Sequence, residues 1–133
     1  MKRTLLLFSI FIISLLLIQC NSEKKAIHKT LTEMATELNE STPVMLDQYT
    51  RFDQASVTNE NIFQYIYTIL NSTNPDSLIG VVESSVRANI KREFSVNPQL
   101  MFFKENNVSV EYVYNDENSK VIKTIRIDSS DYQ

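Results

Sequence analysis

The chain is 133 residues long, with 13 basic and 16 acidic residues, and holds one cysteine, one histidine and one glycine. That length suits one domain around one hydrophobic core. The net charge of −3 gives no pull toward nucleic acid, and the single Cys, His and Gly exclude an internal disulfide, a cysteine-based metal site and a glycine-rich phosphate loop.

The basic start Met1-Lys2-Arg3 leads into a run from Thr4 to Ile18 that is apolar but for Ser9 and Ser14. This is the layout of an export signal, and it is short of the ~20 apolar residues a spanning helix needs. The run ends Leu17-Ile18-Gln19-Cys20, which resembles the lipobox of bacterial lipoproteins, whose cysteine becomes the lipidated first residue. Leu17 fits that pattern, and Gln19 stands where a small residue is usual. The resemblance implies a signal segment over 1–19, lipid on Cys20, a lipid-anchor tether over 20–26 and a single domain over 27–133. An uncleaved N-terminal anchor is the alternative that Gln19 keeps open. Either way the protein is expected to be exported and membrane-anchored, facing the periplasm or the cell exterior. Without Lys2 and Arg3, 11 basic residues face 16 acidic ones, a net charge of −5. Membrane contact is therefore expected from the N-terminus and not from the folded surface.

Residues 22–40 predict a helix, because Ile27, Leu31, Met34 and Leu38 form one stripe at a helical period. His28 lies beside that stripe, and Pro43 ends the helix. Residues 49–57 and 62–70 predict a hairpin around Thr58-Asn59-Glu60-Asn61. The second strand is apolar on both faces, which suits a central position with cover on each side. Asn74 caps a second helix that starts at Pro75 and runs to about Phe94, with Ile79, Val82, Val86 and Ile90 inward. Gly80 lies within it at a cost of roughly 1 kcal/mol against alanine, which points to close packing on the sheet. Residues 99–105 predict a helical turn with Leu100, Phe102 and Phe103 inward. Residues 108–114 and 120–128 predict a second hairpin, with Val121, Ile125 and Ile127 on the core side. The tail from Ser129 reads as frayed. The order α-β-β-α-β-β gives an α+β two-layer domain: a four-stranded antiparallel sheet of two hairpins under two amphipathic helices.

Chemistry-bearing residues are sparse. Asp116 and Glu117 share a turn, and Asp47 and Asp53 bracket the first strand; such carboxylates are ordinarily solvated, not poised for acid–base work. Arg51 and Asp53 point to the same side of that strand, as a surface ion pair or a charged recognition spot. Tyr65, Tyr67, Tyr112 and Tyr114 alternate along two strands. They serve either as an aromatic binding platform on an open sheet face or as core lining with hydroxyls at its rim. No cofactor and no metal site is expected.

Thr50-Arg51-Phe52-Asp53, Gln64-Tyr65-Ile66-Tyr67-Thr68-Ile69 and the final Val-rich hairpin resemble a group of small exported, lipoprotein-like bacterial proteins of unknown function. The resemblance covers most of residues 26–128 and implies a similar α+β domain. The reading that fits best is a membrane-tethered protein-binding or assembly accessory module of the bacterial envelope, without catalysis. A small carboxylate-dependent hydrolase and a passive structural envelope lipoprotein are the alternatives.

Overall fold

The computed structural model describes residues 22–132; the expected signal segment over 1–19 and Cys20 lie outside the described residues. Helix α1 spans residues 22–39. It is followed by β1 (Val44–Met45), β2 (Thr50–Val57) and β3 (Phe63–Ile69). Helix α2 (Pro75–Val96), a 3-10 turn at Pro98–Leu100 and the short α3 (Met101–Glu105) then lead to β4 (Val110–Asn115) and β5 (Val121–Ile127). Residues 22–26, expected as tether, are helical and exposed.

The fold is α+β, as expected, but the sheet has five strands and not four, in the order β1-β2-β3-β4-β5, and the chain runs α-β-β-β-α-α-β-β. Nor is the sheet wholly antiparallel. β3 and β4, at its centre, are parallel, with Tyr65 opposite Tyr112 and Tyr67 opposite Tyr114. The helices of residues 70–109 return the chain to the end where β3 began, and a parallel pair needs such a crossover. The extra strand β1 has two residues, paired as Val44 with Phe52 and Met45 with Arg51. Two residues show no periodicity, so the sequence pattern gives no sign of it.

One sheet face is covered. Phe63, Tyr65, Tyr67 and Ile69 of β3 share it with Val110, Tyr112 and Tyr114 of β4 and with Ile125 and Ile127 of β5. Leu31 and Ala35 of α1 and Ile79, Ile90 and Phe94 of α2 are buried in the same core. Ile27 and Met34 are half-buried and Leu38 is exposed, so the α1 stripe is buried mainly at its middle. α1 lies toward β2: His28 Nδ1 meets Asn61 Oδ1 in the β2–β3 turn at 2.8 Å, and the Asn39 side chain bonds Ala55. α2 climbs beside β5, fixed by Glu83–Lys123 at 2.8 Å, Arg87 to the Arg126 carbonyl at 2.8 Å, and Lys91–Asp131 at 2.8 Å. Among the described residues the expected cover lies on one side of β3 and not both: on the opposite face Thr68 alone is buried, and Ile66 and Val113 are half-buried.

Three local expectations change. Gly80 is exposed, and a Cβ placed on it would meet nothing within 4 Å, so close packing on the sheet is not why it is there. Val121 is 55 % exposed, because the register shifts between Tyr114 and Asn115 and turns it away from the core. The tail is not frayed over its described length. Ser129–Asp131 form a 3-10 turn with a capping box between Asp128 and Asp131. Tyr132 is buried against Phe94 at 4.5 Å between ring centroids, and its hydroxyl donates to the Val108 carbonyl. One buried aromatic ring outweighs the fraying its polar neighbours favour.

The turns rely on asparagine where glycine is usual. Asn61, Asn71 and Asn107 have φ of 62°, 55° and 53°, the left-handed region that asparagine tolerates better than most side chains. These turns define two ends of the molecule. The start of α1, the β2–β3 turn, α3 and the C-terminus of α2 gather at one, called here the upper end. The turn after β1 and the N-terminus of α2 gather at the other, the lower end.

Candidate functional site

The residues singled out in the sequence fall on two separate faces. Tyr65 and Tyr67 of β3 and Tyr112 and Tyr114 of β4 lie on the helix-covered face, not on an open platform. Because β3 and β4 are parallel and in register, the four rings interleave into one row. Tyr65 stacks on Tyr112 at 5.1 Å, Tyr112 on Tyr67 at 6.3 Å, and Tyr67 on Tyr114 at 5.1 Å between centroids. Phe52 closes the β2 side, 6.1 Å from Tyr65 and 5.3 Å from Tyr67.

This row fills the strip between α1, over β2, and α2, beside β5. Tyr114 is buried and the other three are half-buried. No hydrogen bond to a described residue engages their hydroxyls. No buried polar side-chain atom among the described residues lacks a partner, so these hydroxyls reach solvent. Burial holds them as neutral phenols: it pushes Tyr65 up to about 12, and it raises Tyr67, Tyr112 and Tyr114, with the neighbouring phenols adding to the shift of Tyr67 and Tyr112. Neutral phenols on an apolar floor can donate and accept hydrogen bonds while their rings take up apolar area; they are poor bases and poor nucleophiles at neutral pH.

At the lower end the strip opens into a cavity of about 340 Å³ between Tyr49 and Thr50 on one side and Leu78, Ile79 and Val86 of α2 on the other, with Tyr114 behind. Beside it stand exposed apolar side chains that strand patterning does not single out. Val44, Met45 and Leu46 are 41 %, 49 % and 58 % exposed, next to Tyr49.

Arg51 and Asp53 face the other way. Asp53 is the bulged residue where the β2–β3 register shifts. Its carboxylate accepts from Arg51 Nε at 2.5 Å and from the buried Thr68 hydroxyl at 2.5 Å. Both oxygens are thus occupied in holding the bulge, and the pair does not meet the tyrosines. A polar row crosses the same open face further up: Ser56 donates to Gln64, Gln64 to Glu111, and Arg126 to both Glu111 and Asp128. Exposed strand positions with mixed charge are common, so nothing in the sequence marks that ladder.

The turn carboxylates are caps. Asp47 accepts from the Tyr49 and Thr50 amides, which lowers its pKa. Asp116 accepts from the Asn118 and Lys120 amides, and Glu117 from the Asn71 amide at 2.6 Å. Among the described residues, no group of three or more His, Cys, Asp or Glu could hold a metal ion.

Solved structures share this architecture. A protein of Pseudomonas aeruginosa described as secreted aligns at TM-score 0.71 with 14% identity, over 83% of this chain and 96% of that one. The pilotin of the type 2 secretion system of Vibrio vulnificus aligns at TM-score 0.60 with 8% identity, over 85% of this chain and 97% of that one. The Vibrio cholerae type II secretion system pilotin aligns at 0.52 with 10% identity, over 83% and 96%. At these identities the likeness is one of fold. No curated protein sequence matches the chain. Residues 25–124, nearly the whole described domain, match one family model, and the chain therefore belongs to the family described as Domain of unknown function (DUF8479).

Proposed function

We propose that the protein is a membrane-tethered accessory module of the bacterial envelope, exported and held at Cys20 or by an uncleaved N-terminal segment, that binds a partner protein along its tyrosine row. The observation that carries this reading is the row itself: four stacked phenols with solvent-reaching hydroxyls, in a strip flanked by two helices. Aromatic rings with a polar tip are favoured at binding hot spots, because they bury large area at little entropic cost. Two proteins of the same fold are pilotins of secretion systems, which favours an assembly role over a passive one.

Catalysis is not part of this reading. The described cavities each carry one carboxylate: Asp47 in the lower one, Glu105 beside α3, and Glu60 in the two near the β2–β3 turn. A hydrolase using carboxylates alone needs two within reach.

The test is site-specific photocrosslinking in cells. A photoreactive residue at Tyr67 or Tyr112 should capture a discrete envelope protein, and Tyr112→Ala should abolish recovery of that partner. A probe at Gln54, exposed on the opposite face, should not capture it. Equal capture from both faces, or none from the tyrosines, rejects the tyrosine row as the binding site. Cys20→Ala with metabolic lipid labelling decides the anchor: label lost with the cysteine supports lipidation, and an unlabelled parent that still fractionates with membranes supports the uncleaved segment.

A further inference from the structure

The start of α1 determines which end of the domain meets the membrane. This inference rests on the anchoring proposed above. Asn21 alone separates Cys20 from residue 22, where α1 is already helical, so no run of flexible residues stands between anchor and domain. The 21 residues preceding α1 include the apolar run, and they join the domain at its upper end. There the Lys24 carbonyl accepts from Asn61 of the β2–β3 turn, and Lys24 lines a cavity with Asn106 and Asn107, directly after α3.

The same end carries exposed apolar side chains. Val96, the last residue of α2, is 68 % exposed, and Met101, the first of α3, is 50 % exposed. With Pro98 between them, they border a mostly apolar depression of about 450 Å³ rimmed by Lys104 and Glu105. Lys24 and Lys25 are exposed in the first turns of α1. Apolar tips with lysines at the same end of the domain suit the headgroup boundary of a bilayer, where the stems sink and the ammonium groups stay with phosphate.

We infer that this corner, built on Val96, Pro98 and Met101 with Lys24, Lys25 and Lys104, rests on the lipid surface beside the anchor. The contact fixes the domain's orientation. The lower-end cavity and the exposed Val44, Met45 and Leu46 then face away from the bilayer, where a partner protein can reach them.

The chain has no tryptophan, so a single introduced one reports on its own surroundings. Full-length Val96→Trp, Met101→Trp and Val81→Trp are reconstituted into phosphatidylethanolamine–phosphatidylglycerol vesicles with brominated acyl chains. Val81 is 79 % exposed near the start of α2, away from the anchor. Emission at positions 96 and 101 should be quenched several-fold more than at 81. Equal quenching, or the reverse order, overturns the inference. A protein that does not float with the vesicles overturns the anchoring and this orientation together; one that floats with positions 96 and 101 unquenched overturns the orientation alone. The unmodified chain supplies a second reading that needs no variant. Met101 and Met45 are almost equally exposed, at 50 % and 49 %, on opposite ends. Vesicles should slow oxidation of Met101 by a water-soluble oxidant several-fold relative to Met45, and an unchanged ratio overturns the inference.

Discussion

Replacing Asn39 by alanine should destabilise the domain more than any other change at the end of α1. The Asn39 amide holds both backbone groups of Ala55: the Ala55 N–H donates to Asn39 Oδ1 at 2.7 Å, and Asn39 Nδ2 donates to the Ala55 carbonyl at 2.9 Å. β1 pairs with residues 51 and 52, so at Ala55 no strand among the described residues lies beside the outer edge of β2, and one side chain stands in for it. Ala55 is 3 % exposed, so its freed groups would be poorly hydrated. Each buried group left unpaired costs about 1–3 kcal/mol, and partial entry of water at a sheet edge brings the pair to about 2–4 kcal/mol. For a domain of this size that is a fall in Tm of roughly 8–20 °C. Thermal and urea unfolding followed by circular dichroism measure it. Asn39→Asp is the companion variant. Its carboxylate still accepts from the N–H but sets an oxygen against the carbonyl, so the deficit should shrink when acid protonates it. A loss below about 0.5 kcal/mol for Asn39→Ala, the range of ordinary surface changes, would refute the reasoning.

Gly80→Ala should stabilise the protein by about 0.5–1 kcal/mol, because the position is an exposed helix interior with open space for the new methyl; a loss on urea unfolding would contradict this. Tyr132→Ala should cost about 3–5 kcal/mol, the usual range for a large buried aromatic, and C-terminal truncation before Tyr132 should reproduce it in the same assay. Alkaline pH should unfold the domain. Below pH 10 the folded and unfolded states both keep their phenolic protons, and the full stability is present. Above it the unfolded chain releases them first, because burial holds Tyr65 and Tyr132 up to about 12, so stability falls by about 1.4 kcal/mol per pH unit for each such tyrosine across that window. Tyrosinate absorbance from Tyr65 and Tyr132 should therefore rise together with loss of circular dichroism; their ionisation near pH 10 without unfolding would contradict the argument.

What was legible in the sequence was whatever repeats along the chain. The α2 cap is the clearest case: Asn74 accepts from the Ser77 amide and Pro75 opens the helix, as residue types alone imply. Strands β2 to β5 lie within a few residues of their expected spans for the same reason, since alternation is a local signal. Pairing partners are not local. Whether β3 meets β4 parallel or antiparallel depends on where residues 70–109 return the chain, and no residue in either strand encodes that. The tyrosines illustrate the difference. Their alternation was readable, and so was the choice between platform and lining, but their stacking into one row follows only from the parallel register. The spacing of Arg51 and Asp53 puts them on one side of β2, but Thr68, which joins them, is not legible, because a cross-strand hydroxyl leaves no trace in sequence spacing.

The parallel pair at the centre of the sheet divides the chain into two halves that meet along one seam. α1 through β3 lie on one side, β4 and β5 on the other, and the long crossover must close before the two can register. Closing distant contacts of this kind is the slow step in folds rich in them. The tyrosine row straddles that seam, with two rings from each half. A partner seated on it would clamp the halves together and raise the protein's stability by mass action, logarithmically in partner concentration above the dissociation constant. Assembly of that surface and completion of the fold are then one event, so a half-folded chain would not present the row.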